Sequence, residues 1–184
     1  MSLYQLKITL KWSDPAIWRR VVVPAELSLE RLHLLIQLVM PWTNSHMHQF
    51  IAGKTYYGAA DPESSDLGVE MLNEEEYSVA DLAPAAKKKF LYEYDFGDGW
   101  LHEVVVEKIL PPDKTFKHPV CLGGANACPP DDSGGMPGYY QSLEILQNPK
   151  NPEYAEMEEW IGGDFDAERF DLEELNRRLK RFKT

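Results

Sequence analysis

The chain has 184 residues, 43% hydrophobic and 27% charged, the balance of an ordinary globular protein with room for a substantial core. No run approaches the roughly 18 apolar residues of a membrane span, and Met1-Ser2-Leu3-Tyr4 leads directly into a strand pattern, so a cytoplasmic protein without a membrane partner is predicted. The net charge of −11 repels free nucleic acid unless a local basic face overrides it, leaving a protein or small molecule as the expected partner.

Tyr4, Leu6, Ile8, Leu10 and Trp12 alternate with polar residues, which predicts a strand with one buried face. Ser13 to Ala16 reads as a turn, and Ile17 to Val23 as the returning strand ended by Pro24. Arg19 and Arg20 there point to opposite faces, so one is expected to pair or snorkel inward. Ser28 is a good N-cap, with Leu27 and Leu32 placed as a hydrophobic staple, for a helix that runs to about Met40 and stops at Pro41. Its leucines, with Ile36 and Val39, cover nearly the whole circumference, as in a helix buried on more than one side.

His46 to Ala52 is predicted as a strand on which His46 and His48 face the same way, roughly 6–7 Å apart, before a type II′ turn at Gly53-Lys54. Asp61 to Glu76 is strongly acidic and reads as a solvated surface insertion. Ser78 to Leu82 is one helical turn, and Lys87-Lys88-Lys89 a solvated edge. Tyr92 to His102 then alternates, breaks at Gly97-Asp98-Gly99 and resumes into Val104-Val105-Val106, a hairpin signature. A two-residue turn sets Asp95 opposite His102; a three-residue turn puts Tyr94 there instead.

Cys121 to Gly135 is too rich in Gly and Pro for regular structure, and so long an irregular stretch in a compact domain usually has a functional role. The remainder is helical. One helix spans Tyr139 to Leu146, and another follows Asn151-Pro152 with Tyr154, Met157, Trp160 and Ile161 on one face, stopped by Gly162-Gly163. A last helix, capped by Asp171 with Glu174, carries Leu172, Leu175, Leu179 and Phe182 as its stripe. Its basic end, Arg177 to Lys183, complements the helix dipole; a nucleic-acid patch is the alternative.

Three chemistries suit these residues. His46, His48 and His102 with Asp95, Asp98 or Asp132 would hold zinc or manganese with an open position for water; the plainer reading is histidines that satisfy nearby backbone and carboxylate groups. Asp95 with His102 would form an acid/base pair, or only a cross-strand pair contributing about 0.2–1 kcal/mol. Cys121 and Cys128, separated by six residues, would bind zinc with His118 and an aspartate, or act as a small buried hydrophobe and a loop anchor. Trp18, Trp42 and Trp100 are core or line a groove, Trp100 being the one expected to be partly exposed; Trp100, Asp131, Asp132 and Tyr139 are the candidate binding residues.

Ile17-Trp18-Arg19-Arg20, Leu32-His33, His46-Met47-His48-Gln49-Phe50, Tyr94 to Trp100 with His102, and Cys128-Pro129-Pro130-Asp131-Asp132 with Gly134-Gly135 together resemble the Ri-plasmid open-reading-frame-three family, also labelled insertion-element passenger TnpR-like proteins. The resemblance runs from about Tyr4 to Leu179 and implies an α+β domain but no particular activity. A resolvase would need an activated serine among arginines and a basic helix-turn-helix, and the chain offers neither in recognisable form. Ser133 stands where the family pattern has a cysteine, and a hydroxyl is a poor substitute for a thiolate ligand.

The expectation is thus a single α+β domain over 1–184, with a mostly antiparallel sheet of five to six strands and a buried helix across one face. The N-terminal half (1–60) is β-grasp-like; an acidic insertion (61–89), a hairpin with its Gly/Pro-rich loop (90–137) and helices closing over the core (138–184) follow. The expected function is a binding or interaction module whose polar face combines the Asp98 turn, the His46/His48 strand and the Pro130–Gly135 loop. The alternatives are a metal-dependent hydrolase using the same groups and a mobile-element-associated nucleic-acid-binding protein.

Overall fold

The computed structural model describes residues 2–59 and 71–183. In chain order the elements are β1 (Leu3–Leu10), β2 (Trp18–Pro24), α1 (Leu29–Val39), β3 (His48–Ala52), β4 (Thr55–Gly58), β5 (Met71–Asn73), α2 (Val79–Leu82), β6 (Lys89–Tyr94), β7 (Trp100–Leu110), β8 (Val120–Ala125), α3 (Gly135–Leu146), α4 (Tyr154–Ile161) and α5 (Leu172–Leu179). The strands form one sheet in the order β5-β4-β3-β6-β7-β1-β2-β8, antiparallel throughout except for β4 with β5. No helix among the described residues is long and apolar enough to cross a membrane.

The fold is α+β as expected, but with eight strands in place of five or six. The two extra strands lie where local composition argues against them. β8 falls in the glycine-rich stretch read as irregular. At Gly124 an added Cβ would lie 2.7 Å from the Phe170 ring and 2.8 Å from the Trp18 carbonyl oxygen, so tertiary packing requires the glycine that propensity penalises. Asn176 of α5 covers this edge strand, accepting from the Cys121 N–H and donating to the Cys121 carbonyl, both at 2.9 Å. β5 lies within the supposed acidic insertion, of which 61–70 fall outside the described residues; Glu74 just after β5 is buried, not solvated. The β-grasp expectation is also corrected. That layout returns the strand after the helix to the side of β1, a place taken here by β7.

Tyr4, Leu6, Ile8 and Leu10 enter the core, whereas Trp12 lies beyond β1 in the turn, with φ of +63° and 67% exposed. Ser28 caps α1 by accepting from the Arg31 N–H. Leu29, Leu32, Leu35, Ile36 and Val39 are buried, and α5 packs on α1 through Leu175 and Leu179, which accounts for apolar residues all round the helix. α3 and α4 pack on each other. Of the two arginines on β2, Arg19 is the inward one. Arg20 forms a two-pronged ion pair with Glu107 at 2.6 and 2.8 Å, which pulls the Glu107 carboxyl down to about 2.

Candidate functional site

The hairpin closes with Tyr94 opposite Trp100 and Tyr92 opposite His102, so Asp95 to Gly99 form a five-residue loop. Asp-Gly favours a tighter turn, but Asp95 itself turns the chain. It adopts φ of +56°, and its Oδ1 accepts from the Gly97 and Asp98 N–H groups at 2.9 and 3.3 Å. Asp95 therefore does not face His102. His102 is fully buried, with Nδ1 3.3 Å from the Tyr92 carbonyl, and burial lowers its pKa to about 4. Of the two alternatives for Asp95 and His102, neither the acid/base pair nor the cross-strand pair forms.

The segment between α1 and β3 is fastened at both ends. Trp42 Nε1 donates to the Pro129 carbonyl at 2.9 Å, and Asp131 Oδ2 accepts from the Thr43 N–H and hydroxyl at 3.0 and 2.6 Å. Further along, the Ser45 N–H donates to the Tyr94 hydroxyl at 3.1 Å, and the Asp95 N–H to the Met47 carbonyl at 2.8 Å. His46 thus lies in this loop and not on β3, which begins at His48. The third segment, after Pro130, turns at Asp132 (φ +61°) and Gly134 (φ +78°), and the Gly134 N–H donates to Asp98 Oδ2 at 3.1 Å.

Where these three loops meet, His46 Nε2 lies 3.6 Å from Asp95 Oδ2 and 3.3 Å from Asp132 Oδ1. Among the described residues this is the one place where three histidine, cysteine or carboxylate ligand atoms fall within 4.8 Å of one another. Asp95 is nearly buried and Asp132 exposed, so the group is enclosed on one side and open on the other. His46 Nε2 is itself buried without a well-directed hydrogen bond, as are Asp131 Oδ1, Trp100 Nε1 and His102 Nε2. All four belong to the segments that converge here or to the start of β7.

The other candidates go elsewhere. His48 turns to a separate buried network, where its ring stacks on His33 at 3.4 Å and its Nε2 lies 2.8 Å from Glu74 Oε2. Beside it the donors and acceptors close a ring. Gln37 Nε2 donates to the Tyr92 hydroxyl (3.0 Å), Tyr92 to His33 Nδ1 (2.7 Å), His33 Nε2 to Asn44 Oδ1 (2.6 Å), and the Asn44 N–H to Gln37 Oε1 (3.0 Å). Sequence reasoning missed this network, although His33 and Gln37, four apart within the otherwise apolar run from Leu32 to Val39, were the available signal. Burial, then the neighbouring His48, lowers the His33 pKa to about 4.

His33 and His102 therefore stay neutral in the folded chain over a range where an unfolded histidine takes up a proton. Their contribution to stability is whole above about pH 6.5 and falls as pH drops from there through about 4. Imidazole resonances of both should stay nearly unshifted down to about pH 5; titration of either near 6.5 would contradict this.

Cys121 and Cys128 are buried free thiols that share no site with His118. Burial raises both, Cys128 to about 11, so neither is disposed to supply the thiolate that zinc needs. Trp100 is fully buried, contrary to expectation, and stacks on Trp42 with ring centres 5.9 Å apart. Tyr139 is a core residue whose hydroxyl burial pushes up to about 12; with Tyr140 and Leu143 it borders a cleft that none of His46, Asp95 and Asp132 lines. Trp12 and Trp160 are the tryptophans that solvent reaches most.

The family model described as plasmid pRiA4b ORF-3-like protein matches residues 2–174. The uncharacterized protein y4hQ of Sinorhizobium fredii is 37% identical over 177 residues, covering 96% of this chain and 90% of that one. The crystal structure of MM3350 from Methanosarcina mazei Go1, a protein of unknown function, superposes with a TM-score of 0.84 at 36% identity, covering 94% of this chain and 97% of that one.

Proposed function

The chain belongs to the plasmid pRiA4b ORF-3-like family, and from that premise we propose a binding module that takes a divalent cation between His46, Asp95 and Asp132. The observation that carries the reading is the spacing around His46 Nε2. Ligand atoms about 2.1 Å from a zinc ion stand roughly 3–3.4 Å from one another, and His46 Nε2 lies 3.3 and 3.6 Å from its two carboxylate oxygens. One imidazole nitrogen and two carboxylates also match the tastes of zinc and manganese, and their two negative charges balance the ion. Both aspartates sit at positive φ, a conformation that costs energy and that three converging loops keep in place.

A metal-dependent hydrolase is the second reading. It is favoured by the 74% exposure of the Asp132 side chain, which leaves the open side a hydrolytic water would need. Calorimetric titration of tag-free protein with zinc and with manganese tests the cation. One equivalent per chain is expected, weakened more than tenfold in His46→Ala and in Asp132→Asn and unchanged in His118→Ala. Absence of stoichiometric binding, or binding indifferent to His46, overturns the reading.

A further inference from the structure

Between α3 and α4 lies a cleft of about 630 Å³, within the range of small-ligand sites. Asp132 forms one part of its wall, Ile145 and Met157 give it apolar surface, and Trp160 on α4 is 46% exposed. Glu153, Glu156 and Glu159 also line it. They recur every three residues, rising about 4.5 Å from one to the next. No lysine, arginine or histidine lines the cleft, and none of these three glutamates forms an ion pair among the described residues. α4 buries none of its residues, so its Met157 and Trp160 surface is available to the cleft.

We propose that this cleft binds an aliphatic polyamine, a chain of ammonium groups joined by short hydrocarbon spacers. The carboxylate ladder and Asp132 meet the ammonium groups, the methylenes lie on Ile145 and Met157, and the Trp160 ring offers its face to one cation. A simple metal ion satisfies the carboxylates but makes no use of the apolar floor or of Trp160. The net charge of −11 raises the local concentration of any cation, and the cleft's shape selects among them. This site stands independently of a cation at His46. Because Asp132 borders both, each ligand weakens the other, and by the same factor.

Calorimetric titration with spermidine at physiological ionic strength tests the proposal, with circular dichroism confirming that each variant is folded. One saturable site per chain is expected. Trp160→Ala and Glu156→Gln should each weaken it about two- to fivefold, with Trp160→Phe retaining most of the affinity. Glu75→Gln, on the exposed turn after β5, should leave it unchanged. No saturable binding at millimolar spermidine overturns the proposal. So does an equal loss in Glu75→Gln, which would mean condensation on an acidic surface.

Discussion

Arg19→Ala is expected to destabilise the protein by about 3–5 kcal/mol, read as a shift of the urea midpoint at unchanged slope. Arg19 is 3% exposed, and no carboxylate among the described residues pairs with it. Its charge is solvated by carbonyl oxygens instead: Val39 at 3.0 Å, Trp18 at 2.8 Å, and Ala125 and Asn126 each at 2.9 Å. Val39 ends α1, so the guanidinium also meets the negative end of that helix dipole. The Phe170 ring packs against it with its centre 4.5 Å away. One side chain thus joins β2, the end of α1 and the end of β8. Alanine would leave these carbonyls without their donor and open a cavity. Arg19→Met, which restores volume without donors, should fall between alanine and wild type, and lysine cannot reproduce the planar fork. A loss below about 1 kcal/mol for alanine would show that the carbonyls find other donors at little cost.

Gly135→Ala is expected to cost roughly 2–5 kcal/mol and to weaken the divalent-cation site in the same molecule. Gly135 has φ of +68°, and a Cβ there would stand 2.6 Å from the Asp98 carbonyl oxygen, a backbone atom that cannot swing aside. Left-handed backbone alone accounts for about 1–2 kcal/mol, and relieving the contact for a further 1–3 kcal/mol. Relief means moving the five-residue turn, and that turn carries Asp95 away from Asp132. Gly53→Ala is the matched control. It has φ of +64° with nothing within 4 Å of the added carbon, so it should show the conformational cost alone and leave the cation site intact. Equal losses in the two variants would sink the argument.

Much of the fold is legible in local pattern because local physics decides it. Period-two runs mark β1 and β7, Ser28 and Asp171 accept the backbone N–H groups that start α1 and α5, and Gly53-Lys54 joins β3 to β4 in two residues. What local pattern hides is set at long range. Gly123-Gly124 reads as a loop until Phe170 and Trp18 are seen to occupy the space of the missing side chain. The acidic run before Tyr77 reads as solvent-facing until Glu74 is found against His48. For the site, residue types and loop composition point to the correct three segments, but only His46, Asp95 and Asp132 of the six candidate groups meet. His48 is diverted because β3 starts two residues later than the alternation suggests, and His102 because the hairpin loop is longer than Asp-Gly favours.

The position of β1 in the sheet has a consequence for biosynthesis. Leu6 lies between Val21 on one side and Val106 on the other, the latter about a hundred residues away in sequence. As the ribosome extends the chain, the N-terminal hairpin must persist with an unpaired apolar margin until the residues of β7 emerge, an interval in which it is open to chaperones or to another nascent copy. Messages truncated before that point should therefore yield sticky fragments, whereas truncation after α3 leaves β1 paired on both sides and instead uncovers β8 and the α1 face that Leu175 and Leu179 bury.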